Sequence, residues 1–114
     1  MFLQFEQYWK QIGFLQNCYF MASVYILYSL SLNKYYTGSC KELSERLEMH
    51  FSGEKQGAYT TKANDWTLYF SMNELGYEQA RQIEKHIKRM KSRNYIENLK
   101  KYKELSQNLI KRYQ

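Results

Sequence analysis

Proline is missing from this chain altogether, so nothing in it marks a stiff internal linker. Cysteine occurs twice, at Cys18 and Cys40, without the close spacing of a zinc site. The pair reads as two reduced thiols in a cytoplasmic protein and not as a disulfide framework. Long uncharged apolar runs are lacking too, so no stretch suits a membrane-spanning helix. The first residues carry Glu6 and Lys10 and no small-residue cleavage site before an apolar core, which argues against a secretory signal. Repeats and low-complexity segments are absent. A chain of 114 residues suits one domain with a single small core.

What the sequence holds in quantity is tyrosine, twelve in all, and positive charge, a net +6. Residues 85–112 contain ten Lys or Arg against Glu97 and Glu104, whereas the remainder has seven basic and nine acidic side chains. The surplus therefore belongs to the C-terminal part. Such a concentration suits a polyanion such as nucleic acid, or else a solvated helical face.

Residues 2–15 place Phe2, Phe5, Trp9 and Ile12 at helical spacing, and with Met21 as an alternative start, residues 1–21 read as an N-terminal extension. Ser23–Ser29 is β-branched and aromatic and predicts a strand, with Val24, Ile26 and Tyr28 on one face and Tyr25 and Leu27 on the other. Leu30–Asn33 is a turn in which Asn33 tolerates positive φ. Lys34–Ser39 is the return strand, ending at a turn glycine, Gly38. A helix from about Glu42 to Phe51 buries Leu43, Leu47 and Phe51 and stops at Ser52-Gly53. Residues 54–65 form a polar loop. Trp66–Met72 is a third strand, alternating Leu68, Phe70 and Met72 against Thr67, Tyr69 and Ser71, and Asn73–Gly76 turns. Tyr77–Lys91 is a helix with Ala80, Ile83, Ile87 and Met90 as its apolar stripe. Ser92 caps another, which continues through Tyr102 to Arg112 along Ile96, Leu99, Tyr102, Leu105 and Leu109. The expected fold is α+β: a small antiparallel three-stranded sheet flanked by helices, in the order β-β-α-β-α-α. Residues 22–100 form the domain, and 101–114 a basic helical tail.

The chemistry concentrates between Tyr36 and His50. Arg46 and His50, four apart, project together from one helix beside a Tyr-x-Gly segment, an arrangement that suits a phosphate. Glu84 borders the apolar stripe of its own helix, where a carboxylate costs free energy unless paired or metal-bound; Lys88, four residues on, is its available ion-pair partner.

Together these segments resemble a known family. Val24-Tyr25-Ile26, then Tyr36-Thr37-Gly38, then Arg46-Leu47-x-x-His50-x-x-Gly53, then Ala80-x-x-x-Glu84-x-x-Ile87-Lys88 are similar to the motifs of the GIY-YIG nuclease superfamily. The chain resembles especially its small stand-alone members, those similar to the N-terminal nuclease domain of an excinuclease. The segment from Ile87 through Lys91 and Arg93 to Ile96 resembles their tail. The resemblance implies a metal-dependent endonuclease that hydrolyses DNA phosphodiester bonds in repair or DNA processing, and the tyrosines and basic C-terminal helix point to a preference for single-stranded or branched DNA. The resemblance also implies Tyr25, Tyr36, Arg46, His50 and Glu84 as the catalytic set, with Tyr25 the favoured base or relay and Tyr36 on the phosphate or the water; the sequence leaves open which tyrosine is the base. Arg46 would hold the phosphate, His50 would take the proton from Tyr25, and Glu84 would be the lone protein ligand of Mg²⁺, for which Mn²⁺ can substitute. Gly38, Ser39, Lys88, Lys91 and Arg93 form the expected substrate-binding set. Ser39 departs from the lysine that some relatives carry, and Asn94 and Asn98 are both candidates for a further site asparagine. Two other readings remain: a nucleic-acid-binding module without catalysis, and a protein-interaction domain docking through residues 2–15 and 101–114.

Overall fold

A computed structural model describes residues 22–52 and 59–114. The helix expected over 2–15, the start at Met21, Cys18 and the stop at Gly53 lie outside them. Strands β1 (Ala22–Ser29), β2 (Lys34–Cys40) and β3 (Trp66–Leu75) form one antiparallel sheet in the order β2-β1-β3. Helix α1 (Leu43–Ser52) follows β2, and a short 3-10 turn (Tyr59–Lys62) precedes β3. Helices α2 (Tyr77–Met90), α3 (Arg93–Lys101) and α4 (Lys103–Arg112) complete the chain. The α+β class and the three-stranded sheet are as the sequence predicts.

As the central strand, β1 is covered on both faces, and its alternation sorts the core into two. Val24 and Ile26 join Ala80, Ile83, Ile87, Leu99 and Leu109 beneath α2, α3 and α4. Tyr25 and Leu27 join Trp66 on the other face, against Leu43 and Leu47 of α1. Asn33 does adopt positive φ in the hairpin turn, with its side chain accepting a hydrogen bond from the Tyr28 hydroxyl. Ser92 caps α3 by accepting from the backbone N–H of Tyr95 at 3.0 Å, as its residue type predicts.

Several details depart from the local pattern. Phe51 is exposed, not part of the α1 stripe, and so is Met90 at the end of α2. The strict alternation predicted for β3 fails because its register against β1 shifts between Ile26 and Leu27. One extra β3 residue there lets Tyr69 and Phe70 both pack on the helical side, while Leu68 is exposed. Asn73–Leu75 of the expected turn is instead the end of β3, where Glu74 takes positive φ, and Gly76 is the N-cap of α2. The last helix is two helices: Tyr102 is extended, with φ −114° and ψ 107°. The break turns α4 back, so Leu109 reaches the core that Leu99 also enters, and Tyr102 leaves the stripe for solvent.

Candidate active site at the free edge of the sheet

Strand β2 lies at the sheet edge, and α1 and α2 flank it from opposite faces. The crevice between them is a cavity of about 660 Å³ along that edge. Arg46, with Glu42 and Glu45, lines it from the α1 side; Arg81, Glu84, Lys85 and Lys88 line it from α2; Ser39 and Cys40 form its floor. Residues distant in sequence meet here because β2 alternates: Tyr36 and Gly38 face α1, and Ser39 faces α2.

On the α1 side, Tyr25 and His50 are both buried, at 0% and 2% exposure. The Tyr25 hydroxyl lies 2.9 Å from His50 Nε2, and His50 Nδ1 lies 2.6 Å from the Thr60 hydroxyl. Thr60 is held in turn by the Trp66 indole N–H, which donates to its carbonyl at 2.8 Å. The result is a buried polar chain from β1 through α1 to the 3-10 turn. The ring of Tyr36 packs beside both Tyr25 and His50, at centroid distances of 6.4 and 5.4 Å. Unlike them it is only partly buried.

Burial pushes the Tyr25 phenol well above its ordinary value, and the neighbouring Tyr36 adds to the rise. The Arg46 guanidinium opposes this by charge and by hydrogen bonding but does not prevail. Tyr25 therefore holds its proton at neutral pH, and with no exposed surface it has no direct access to bulk water. The supporting cation is present, yet desolvation outweighs it. Arg46 makes no ion pair with Glu42 or Glu45 among the described residues. Burial also raises the Cys40 thiol, which leaves it a poor nucleophile in the cavity floor.

Gly38 has a different reason to be glycine than a turn. It lies within β2, directly opposite Tyr25. A Cβ there would stand 2.5 Å from the Tyr25 hydroxyl oxygen and 2.6 Å from Cζ. The residue is small because the Tyr25 ring crosses it on the way to His50.

On the α2 side, the Ser39 hydroxyl donates to Glu84 Oε1 at 2.5 Å, and Lys88 Nζ pairs with Glu84 Oε2 at 2.7 Å. Ser39 thus aims the carboxylate and does not replace a cation. The helical neighbour is indeed the ion-pair partner of Glu84, but the Lys88 side chain is half-exposed, so it can swing away from the oxygen. A hard divalent cation takes oxygen ligands and, for Mg²⁺, keeps several waters. Glu84 fits that demand: a carboxylate facing the cavity, fixed through one oxygen by a neutral hydroxyl, with lone pairs left for an ion. No cluster of three or more His, Cys, Asp or Glu exists among the described residues, so Glu84 would serve with waters and substrate oxygens.

The remaining expected binders separate. Lys91 and Arg93 lie in a second cavity beside the first, not in it. Arg93 is committed to the hairpin turn, donating to the Asn33 carbonyl at 2.9 Å and its side-chain oxygen at 2.8 Å. Its fork is thus engaged by the turn. Neither Asn94 nor Asn98 lines the cavity that holds Arg46 and Glu84. Thr60, Arg81 and Lys85 join the site without having been singled out from sequence. The spacing of Arg81, Glu84, Lys85 and Lys88 along one face of α2 carries a signal for two of them; Thr60 carries none in a polar loop.

The family model for the GIY-YIG catalytic domain matches residues 21–103. Comparison with curated proteins and with solved structures returned no match.

Proposed function

Because the chain belongs to the GIY-YIG catalytic domain family, whose members are nucleases, we propose that it is a metal-dependent endonuclease hydrolysing DNA phosphodiester bonds in repair or DNA processing. The observation that carries this reading is the convergence of Arg46 and Glu84 on one cavity from two helices, with the Tyr25–His50 pair closed behind Arg46. In this reading Arg46 grips the phosphate, where a planar guanidinium opposes charge growing on the phosphorus oxygens. Tyr36, at the partly open rim, holds the attacking water. Its packing against Tyr25 and His50 holds its ring in place at that rim. Tyr25 keeps its own proton and fixes His50 at Nε2, while Thr60 fixes it at Nδ1. Ser39 holds Glu84 in the orientation that receives Mg²⁺, or Mn²⁺ in its place. Once bound, that ion supplies Lewis-acid polarisation of the phosphate and stabilisation of the leaving oxygen.

The test is cleavage of end-labelled single- and double-stranded DNA by wild type and Glu84→Gln, with Mg²⁺, Mn²⁺ or EDTA. Wild type is expected to cut only with metal, and Glu84→Gln to lose at least about a hundredfold in rate. Folded wild type that binds DNA with salt sensitivity but never cuts would instead support a binding module without catalysis.

A further inference from the structure

The second cavity, about 510 Å³, continues along the same edge of β2 beyond Lys88, which lines both. Among the described residues, no carboxylate lines it. Its cations are Lys34 from β2 and Lys88, Lys91 and Arg93 from α2 and the α2–α3 junction. Two of these are already neutralised, Lys88 by Glu84 and Arg93 by Glu97. Lys34 and Lys91 are exposed and form no ion pair among the described residues. The opposite wall is aromatic: Tyr36 and Tyr59 lie nearly parallel, with ring planes 10° apart and centroids 6.3 Å apart. Tyr36 therefore belongs at once to the candidate active site and to this groove.

We propose that the groove is the seat of unpaired nucleotides next to the scissile phosphate, so that the enzyme cuts where DNA is single-stranded on that side. The inference rests on the nuclease reading above and adds its substrate class. Free lysines facing a wall of parallel tyrosines match an exposed phosphate chain whose bases turn their faces to the protein. A duplex keeps its base faces stacked inside and offers the tyrosines nothing. The groove meets the catalytic cavity at Lys88, which lines both, so a strand lying in it leads toward Arg46 and Glu84.

The experiment uses the full chain carrying Glu84→Gln, so that DNA stays intact, and reads binding to three fluorescent DNAs: a single strand, a duplex with a single-stranded tail, and the same duplex blunt. Titrations are repeated from low to physiological salt. The single strand and the tailed duplex are expected to bind at least about tenfold tighter than the blunt duplex, and Tyr59→Leu to erase most of that gain. Lys34→Gln with Lys91→Gln should lower the salt slope for the single strand by about 1.4, the share of two phosphate contacts. Lys103→Gln with Lys111→Gln, the same charge change on α4, should leave the slope nearly unaltered. Equal binding of tailed and blunt duplex, or an equal slope change from the α4 pair, would overturn the groove. Cleavage by the unsubstituted protein, measured alongside, separates the two ideas: cutting with an indifferent groove overturns only this inference, and no cutting overturns the nuclease reading.

Discussion

At the scale of single residues, the site is defined as much by what is small as by what is charged. Gly38 gives the Tyr25 ring its passage to His50, since a methyl group would stand within 2.6 Å of two ring-system atoms. The tyrosine cannot yield, because it is wholly buried and tied to His50. Gly38→Ala is therefore expected to cost about 1–3 kcal/mol of stability, as overpacking does, and to impair cleavage further by displacing Tyr25. Urea unfolding and a cleavage assay on the remaining folded protein check the two effects separately. A variant as stable and as active as wild type would mean that the tyrosine does not need this path. The motif residues Tyr25, Tyr36, Arg46, His50 and Glu84 were legible because their types and spacings are local. Their division of labour was not, because the position of Tyr25 relative to solvent depends on what α1 and the 3-10 turn lay over it.

At the scale of elements, the C-terminal helices do structural work that a basic tail would not. Leu109 is 4% exposed and enters the core with Ile83, Ile87 and Leu99. The Gln79 side chain donates to the Ile110 carbonyl at 2.9 Å, and His86 bonds the Tyr113 hydroxyl at 2.9 Å. These ties clamp α4 against α2, the helix that carries Glu84. Leu109→Ala is expected to destabilise the fold by about 2–5 kcal/mol, the usual range for emptying a buried leucine site. Thermal or urea unfolding measures it; a loss under about 1 kcal/mol would show that α4 is a detachable appendage. The helical stripe was visible in sequence, but the break at Tyr102 was not. No glycine or proline marks it, and an extended tyrosine is chosen there by the packing on either side.

At the scale of the molecule, charge is dispersed more than its sequence clustering suggests. Lys100 lies over the ring of Tyr69, Lys101 over Tyr102 and Arg112 over Tyr113. Several C-terminal cations are thus engaged with the protein's own aromatics. Two of the described groups, Asp65 and His86, contribute to the response of the fold to acid. Asp65 is lowered from the ordinary carboxylate value chiefly by the Ser29 hydroxyl, helped by the Ser31 backbone N–H. His86 is lowered chiefly by burial, then by Arg112 and Arg89. Both folded values lie below the unfolded ones, so both contributions are present at higher pH and are lost as pH falls. The His86 share goes first, below about 6.5, and the Asp65 share below about 4. Melting temperature is expected to decline through both windows. Asp65→Asn should flatten the lower one and His86→Gln the upper one, and an unchanged profile in either variant would remove that group from the account.

The sequence by itself determined the alternation of β1, the caps and apolar stripes of the helices, the turn at Asn33 and the family motifs. Each depends on a period of two or about four residues, or on the conformational bias of one side chain, and such signals are local. Only the tertiary structure decided that Ser39 aims Glu84 across 45 positions, that Thr60 completes the His50 chain, that Arg93 is spent on the hairpin and that Tyr102 divides a helix. Those outcomes are set by which faces meet at the edge of β2 and beneath α4. A side chain's partner across such a junction is fixed by packing and by the need to satisfy buried polar atoms, and neither leaves a periodic trace along the chain.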